Sequence, residues 1–380
     1  FKQKTAYEIS LGLVGSEMCI RDRLYQKNFL KQGIRGQKRL YFPVISAQTM
    51  VMTNIDQSSA GKPSIFVTRR WPADAEAALS QYFVPTFNLD DTPLSAAEMA
   101  AGFASHDAIA PTVSDKISAD IIAAGANGKG RLIANFGVGI NHIDLGAAAT
   151  AGIAVSNTPG VLTDATADLA LTLILMLSRR AGEGERELRA GEWQGWRPTH
   201  LMGRALQDKT LGIIGMGRIG KAVAQRAALG FGMKIVFYNR SQVGDISAYS
   251  ARQLDDVESV CQIADCLSLH CAASADTFHI LNAERLAMMK HDAYVINTAR
   301  GDVVDETALA AALSAKRLGG AGLDVFQGEP VIDPALLAAP NTVLLPHLGS
   351  ATIETRTAMG LKVVKNARAF FAGQPMIDPV

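Results

Sequence analysis

The 380-residue sequence lacks any strong imbalance of charge, since 37 Lys and Arg side chains are offset by 36 Asp and Glu side chains to leave a formal net charge of +1. Without an overall field the chain has nothing to attract nucleic acid or an anionic membrane, and we expect neither partner. It also lacks a long apolar run, because the longest, Leu169–Leu177, is too short to cross a bilayer. We expect no secretory signal. These absences favour a globular, cytoplasmic protein.

Cysteine is scarce, with four in the whole chain. Cys19 stands alone, and Cys261, Cys266 and Cys271 are spaced in a way that is typical of neither a zinc site nor a redox-active pair. We therefore expect small core side chains in a reducing compartment, and no metal site.

Residues 1–52 differ from the remainder in their scattered Lys, Arg and Gln and their few clear hydrophobic periods. The segment Leu13–Arg23 is similar to the translation of a transposase adapter used to prepare sequencing libraries. We expect residues 1–52 to be an artefactual or disordered leader, with the native start at Met50 or Met52. A genuine divergent leader is the alternative.

From Pro63 onward, short apolar runs alternate with segments of helical spacing, which predicts parallel sheets with helices on both faces. In the first part of the chain we expect strands at Ser64–Thr68, His106–Ala110, Leu132–Asn135 and Ala154–Asn157, and helices at Ala73–Gln81, Ser118–Ala124 and Thr163–Leu177. We expect Thr163 or Asp164 to cap the last helix. Because that helix is apolar nearly all round, we expect it to be buried between domains or subunits.

The alternation restarts further along the chain. Strands are expected at Thr210–Ile214, Lys234–Tyr238, Cys266–His270, Tyr294–Asn297, Gly320–Asp324 and Val343–Leu345, with helices from Arg218 to about Leu229 and within Ser350–Phe371. The fold class is therefore α/β, with two Rossmann-like or flavodoxin-like doubly wound parallel-sheet domains and a site in the cleft between them. Residues 63–159 plus 347–380 would form one domain and residues 160–346 the other.

A glycine loop of the G-x-G-x-x-G type joins the strand at Thr210–Ile214 to the next helix. Gly215 makes the tight turn, Gly217 lets the backbone approach a pyrophosphate, and Gly220 lets helix and strand pack closely. The helix N-terminus supplies free N–H groups for the phosphates. In this strand–loop–helix setting the motif predicts a dinucleotide-binding domain at 160–346, which leaves 63–159 plus 347–380 for the substrate. We expect Arg218 and Ile219 to contribute to the same site.

The next strand ends at Asn239-Arg240-Ser241, where a site for NAD would normally carry an acidic residue that binds the ribose 2′-hydroxyl. An acid would repel a 2′-phosphate, whereas Arg240 can pair with it and Ser241 can donate a hydrogen bond to it. The sequence therefore predicts a preference for NADP(H), with NAD(H) possible. A solvated Arg240 with no ligand is the alternative.

Three further motifs end or follow predicted strands, at the edge where open α/β sheets bind ligands. They contain Arg300 (NTARG), Asp324 and Glu329 (GLDVFQGEP), and His347 and Gly349 (LPHLGS). In this order and spacing the chain resembles the D-isomer-specific 2-hydroxyacid dehydrogenase family, from about Pro63 to the end. Within it, residues 136–144, 158–163 and 193–196 are similar to segments of the glyoxylate/hydroxypyruvate reductases.

The resemblance implies a hydride transfer between a nicotinamide dinucleotide and a small 2-keto or 2-hydroxy acid, with a catalytic set of Arg300, Glu329 and His347. His347 would act as general acid, Glu329 would hold its imidazole, and Arg300 would bind the substrate carboxylate. The carboxylate pocket would be completed by the backbone of Val138 and Gly139. Further cofactor contacts are expected at Cys271, Thr298, Ala299, Asp324 and Gly349.

The resemblance also implies a homodimer in which Trp196 reaches the substrate pocket of the partner subunit, although Trp196 could instead serve only in dimer packing. His142, beside the carboxylate loop, is expected to orient that loop, and His270 and His279 are expected to be structural. Two other functions stay open: another D-2-hydroxyacid dehydrogenase, of the D-lactate or D-phosphoglycerate type, and a dinucleotide-sensing, corepressor-like binding protein.

Overall fold

The computed structural model describes residues 61–244 and 246–380. The expected leader at 1–52, with Cys19 and both candidate start methionines, lies outside the described residues. Within the described ranges, no helix is both long and apolar enough to cross a membrane.

The first sheet has five parallel strands in the spatial order β2-β1-β3-β4-β5, which is the flavodoxin-like order. Its strands are β1 (Ser64–Val67), β2 (Val84–Phe87), β3 (Ala108–Ala110), β4 (Leu132–Ala134) and β5 (Ala154–Ser156). The helices that connect them are α1 (Ala73–Tyr82), α2 (Ala96–Ser105), α3 (Ala119–Asn127) and α4 (Leu145–Ala151). Pro85 made β2 hard to recognise in the sequence, and β2 tolerates it because it is an edge strand.

The second sheet has seven parallel strands in the order β12-β11-β10-β9-β6-β7-β8. Its strands are β6 (Thr210–Ile214), β7 (Lys234–Tyr238), β8 (Arg252–Gln253), β9 (Cys266–Leu269), β10 (Tyr294–Asn297), β11 (Gly320–Leu323) and β12 (Thr342–Leu344). Its helices are α7 (Arg218–Phe231), α8 (Val257–Ile263), α9 (Ala283–Met288), α10 (Glu306–Ser314) and α11 (Pro334–Ala338). The order reverses between β6 and β9, which places the glycine loop at the switch point where such sheets bind ligands. Both parts of the predicted α/β fold are confirmed.

Helix α5 (Thr163–Ser178) is buried against the second sheet, where Leu173 and Leu177 pack next to Gly322 of β11. The predicted cap is wrong, because Leu162 occupies the N-cap position and no side chain caps the helix. The Asp164 carboxylate instead pairs with Arg226 at 2.9 Å. Helix α6 (Ala181–Arg189) follows in a stretch that the sequence showed only as polar, and none of its residues is buried.

The last helix, α12 (Ile353–Phe371), packs against α1 and β4 of the first sheet. Its Val363, Val364 and Ala367 are buried in the same apolar cluster as Ile65 and Leu79. The chain thus starts the first sheet, builds the second and returns its final helix to the first. As a result, the loop that precedes α12 passes from one sheet to the other.

Candidate active site

A cavity of about 1070 Å³ lies between the two sheets. Its lining includes the segment 136–141 after β4, the end of β10, the loop after β11 and the loop between β12 and α12. Because the strands within each sheet are parallel, their carboxyl ends lie at the same edge of that sheet. The cavity is lined from both sheets, and it brings together residues that are more than 200 positions apart in the chain.

His347 and Glu329 are hydrogen-bonded at the cavity wall, with the imidazole Nδ1 2.8 Å from the Glu329 Oε2. The other oxygen of Glu329 accepts a hydrogen bond from the Phe326 N–H at 2.9 Å. Burial raises the pKa of the Glu329 carboxyl, but the hydrogen bond and charge of His347, together with the Phe326 N–H and the charge of Arg300, outweigh burial and hold that pKa below its usual value. Glu329 is therefore a carboxylate that fixes the ring and leaves Nε2 as the only ring nitrogen that can meet a substrate.

Asp324 holds the loop that carries His347. Its carboxylate, 1% exposed, accepts hydrogen bonds from the N–H groups of Leu348 at 2.6 Å and Gly349 at 2.7 Å. Burial raises the pKa of Asp324 above its usual value, against the two backbone donors that lower it. His347 itself has a φ of 55°, an uncommon conformation for a residue other than glycine.

Arg300 follows β10 and reaches across to the segment after β4. Its Nε donates to the Asn141 Oδ1 at 3.3 Å, and its Nη1 donates to its own neighbour, the Ala299 carbonyl, at 2.6 Å. The guanidinium packs against Gly139 so closely that a side chain at that position would collide with it. Gly139 therefore allows the cation and the backbone of segment 137–139 to face the same small volume.

Asn135, at the end of β4, fixes that backbone segment, and we did not single it out from the sequence. Its amide nitrogen donates to the carbonyls of Gly137 at 3.1 Å and Gly139 at 2.9 Å, and its oxygen accepts from the His142 Nε2 at 3.0 Å. Asn135 is 1% exposed. Among the described residues, nothing accepts from the N–H groups of Val138 and Gly139, which are free for a ligand.

His142 is neutral in this arrangement. Burial, and secondarily the charge of Arg300, lowers its pKa to about 4. Its Nδ1 is buried without a hydrogen-bond partner in the described part of the chain. A ring that donates from Nε2 to an amide and stays uncharged suits the orienting role that we expected.

The glycine loop fits a pyrophosphate. Gly215 has a φ of 96°, and a Cβ there would lie 2.6 Å from the Cys271 backbone nitrogen, so no other residue suits this turn. Gly220 faces the Gly215 carbonyl just as closely. By contrast, no atom lies within 4 Å of a Cβ built on Gly217, which is the N-cap of α7. The open space thus stands at the helix N-terminus, where a phosphate would bind.

Asn239, at the end of β7, is hydrogen-bonded to the glycine loop. Its Oδ1 accepts from the Met216 N–H at 3.1 Å, and its amide nitrogen donates to the Ser241 carbonyl at 2.9 Å. Arg240, Ser241 and Arg218 are exposed. Asn239 thus shapes the loop with both ends of its amide, and the side chains beside it face solvent.

Not all predicted site residues line the cavity. Those that do are Val138, Gly139, Ile219, Cys271, Thr298, Ala299, Arg300, Asp324, Glu329, His347 and Gly349. Those that do not are Gly215, Gly217, Arg218, Gly220, Asn239, Arg240, Ser241 and Trp196. Trp196 is 82% exposed, so within its own chain it does not serve the cavity. Burial raises the pKa of Cys271 to about 11, so its thiol is neutral.

His270 also lines the cavity, although we expected it to be structural. Its Nε2 lies 2.8 Å from the Ser268 Oγ, and burial lowers its pKa to about 4. Among groups of His, Cys, Asp and Glu in the described ranges, none could hold a metal ion.

Comparison with known proteins places these features in a family. The family described as D-isomer specific 2-hydroxyacid dehydrogenase, NAD binding domain, matches residues 171–349. A glyoxylate reductase of Thermococcus litoralis is 39% identical over 317 residues, which cover 82% of this chain and 95% of the relative. A glyoxylate reductase of Korarchaeum cryptofilum is also 39% identical, over 82% of this chain and 94% of its own length.

Two solved structures are similar over most of the chain. A putative D-isomer specific 2-hydroxyacid dehydrogenase from a Polaromonas species has a TM-score of 0.79 at 38% identity and covers 84% of this chain and 100% of its own. An NADPH-dependent glyoxylate/hydroxypyruvate reductase from Sinorhizobium meliloti, solved with NADP and malonate, has a TM-score of 0.75 at 34% identity, covering 84% of this chain and 97% of its own.

Proposed function

The chain belongs to the D-isomer-specific 2-hydroxyacid dehydrogenases and is an NAD(P)-dependent oxidoreductase, and from this premise we propose that it reduces glyoxylate or hydroxypyruvate to glycolate or D-glycerate. The observation that carries the proposal is the His347–Glu329 pair at 2.8 Å in a cavity that Arg300 also lines. An acid, a carboxylate that orients it and a cation are what the reduction of a keto acid requires.

When bound, NAD(P)H would supply the hydride that C2 of the keto acid receives. His347 donates its Nε2 proton to the keto oxygen as that oxygen gains charge, so the product leaves as an alcohol. Glu329 stabilises the imidazolium before the transfer and keeps Nδ1 engaged throughout. Arg300 binds the carboxylate with its forked donors and polarises the carbonyl.

The free N–H groups of Val138 and Gly139 complete the carboxylate pocket. Asn135 turns the Gly137 and Gly139 carbonyls inward, so that the intervening N–H groups are available to the ligand. Asp324 positions the His347 loop, and Thr298, Ala299, Cys271 and Gly349 line the same cavity, where they would contact the cofactor.

For the cofactor we infer a preference for NADP(H), with NAD(H) possible. The end of β7 carries no acid that would repel a 2′-phosphate, and Arg240 is exposed there next to Ser241. The Asn239 side chain is occupied with the glycine loop, which leaves Arg240 and Ser241 for the phosphate.

We also infer a homodimer. The segment around α6 exposes large apolar side chains, namely Leu188 (62%), Trp193 (52%), Trp196 (82%) and Met202 (65%). Several large apolar side chains exposed within one short segment are typical of an interface. In such a dimer Trp196 would reach the cavity of the partner subunit.

A panel of keto acids tests the proposal. Glyoxylate, hydroxypyruvate, pyruvate and 3-phosphohydroxypyruvate are each supplied with NADPH or NADH, and the loss of reduced cofactor is followed by absorbance. We expect the highest kcat/KM with glyoxylate or hydroxypyruvate and NADPH. Turnover of pyruvate or 3-phosphohydroxypyruvate alone would identify a different substrate from the one proposed. Cofactor binding with no turnover of any acid would favour a dinucleotide sensor.

A further inference from the structure

The cavity is lined by four arginines, and they differ in how their charges are neutralised. Arg69 pairs with Asp91 at 2.9 Å, and Arg70 pairs with Glu76 at 2.6 Å. Arg300 is the cation assigned to the substrate carboxylate. Arg356 has no ion-pair partner within residues 61–244 and 246–380, and it is exposed.

Helix α12 brings Arg356 and Met359 to the wall of the cavity. Residues four apart share a helix face, and Gly360, four positions after Arg356, packs against the first sheet. A Cβ on Gly360 would lie 3.4 Å from the rings of both Trp71 and Phe136. Those rings lie with their centroids 5.0 Å apart at an interplanar angle of 33°, and both line the cavity. Arg356 thus lines the cavity on the same helix as Gly360, and the loop before α12 connects it to His347.

We propose that Arg356 is a specificity-determining residue that binds a second carboxylate on the substrate, so that the site also accepts short 2-keto dicarboxylic acids. This inference rests on the proposed function, because Arg300 and His347 must hold the first carboxylate and the keto oxygen. Glyoxylate has no group beyond C2 that could reach Arg356. A carboxylate at C3, as in ketomalonate, or at C4, as in oxaloacetate, lies beyond C2 and can meet this unpaired guanidinium, whose forked donors match it.

The test compares kcat/KM for glyoxylate, ketomalonate and oxaloacetate in the parent protein, in Arg356→Gln and in Lys365→Gln. Lys365 is the matched control, since it is an exposed cation on the same helix that does not line the cavity. We expect Arg356→Gln to lower kcat/KM roughly tenfold for the acid or acids that reach Arg356, through KM, and to change glyoxylate by less than about twofold. Lys365→Gln should change none of the three.

The outcomes separate the two claims. If the parent reduces glyoxylate but neither dicarboxylic acid, or if Arg356→Gln changes all three substrates alike, the inference is overturned and the proposed function stands. If the parent reduces no keto acid at all, the proposed function itself fails. Arg356→Lys, which keeps the charge but not the fork, should retain part of the dicarboxylate preference, and a melting temperature close to the parent's shows that each variant is folded.

Discussion

At the reacting end of the cavity, each polar side chain assigned to the chemistry is held by another residue, whereas at the end of β7 the charged side chains stand in solvent. Glu329 holds His347 at 2.8 Å, and Asn141 accepts from Arg300 at 3.3 Å. Arg240, just after β7, and Arg218, within the glycine loop, are exposed and have no ion pair among the described residues.

The difference shows that the fold fixes the positions of the side chains that take part in the reaction and leaves those near the cofactor phosphate exposed. A proton transfer requires its donor to be placed within hydrogen-bonding distance of the oxygen before the reaction, so catalytic groups need fixed neighbours. An exposed guanidinium can move to meet a phosphate and gains little from being held in advance. We therefore expect substitutions at the reacting end of the cavity to have large effects on turnover. Substitutions at the end of β7 should change the preference between NADPH and NADH only modestly.

The largest effect is expected for His347→Gln. The variant removes the acid while keeping a side chain of similar length, so kcat should fall about a thousandfold while the Kd of NADPH changes little. His291→Gln, at an exposed histidine paired only with Asp292, is the matched control and should behave like the parent. Near-normal turnover in His347→Gln would contradict the assignment of His347 as the general acid, and with it the contrast between the reacting end of the cavity and the end of β7.

The next effect is a dependence of stability on pH. The folded-state pKa of His142 is lowered to about 4 by burial and by Arg300, against 6.5 in an unconstrained chain. Between these values the unfolded chain binds a proton that the folded chain does not, so the free energy of unfolding falls as the pH falls. From pH 6.5 to about 5 the parent should lose about 2 kcal/mol more than His142→Gln.

Urea unfolding at the two pH values measures this difference. His270 shifts in the same direction and contributes to both proteins, so only the difference between them reports on His142. Parallel pH curves would mean that His142 is not held neutral beneath the carboxylate loop.

A smaller effect is expected for Asn135→Ala. Loss of the amide frees the Gly137 and Gly139 carbonyls and loosens the loop, which should raise KM for the keto acid about tenfold with a lesser change in kcat. Asn282→Ala is the control, because it also removes an Asn side chain that bonds to the backbone, at the N-cap of α9. A rise in KM in both variants would point to general loss of stability rather than to the loop.

The smallest effect is expected for Arg240→Ala. An exposed cation contributes about 1 kcal/mol to a phosphate contact, so the ratio of kcat/KM for NADPH to that for NADH should fall about fivefold. Lys234→Ala, at an exposed cation that begins the same strand, should leave the ratio unchanged. Equal kcat/KM values for NADPH and NADH in the parent protein would contradict the proposed contact between Arg240 and the 2′-phosphate.

The parts that could be predicted from sequence are those whose evidence is local. The glycine loop, Arg300, Glu329 and His347 each stand at or just after a strand end in a short, ordered motif, and parallel topology brings such ends together. The fold class followed from the same alternation of strands and helices.

The parts that could not be predicted depend on contacts between distant segments. Asn135 reads as an ordinary strand end, and only the packed structure shows that its amide spans Gly137, Gly139 and His142. Arg356 can be distinguished only by comparison with the other three arginines that line the cavity, two of which form ion pairs with carboxylates. The cap of α5 was mispredicted because Asp164 is drawn to Arg226, which is 62 residues away.

The central claim is that C2 of a small keto acid receives its hydrogen directly from the nicotinamide in this cavity. The most direct test supplies NADPH carrying deuterium at both C4 positions, with glyoxylate as substrate in ordinary water, and analyses the glycolate by mass spectrometry. We predict glycolate with a single deuterium, bound to C2. Glycolate without deuterium, or no glycolate while NADPH stays bound, would contradict the account.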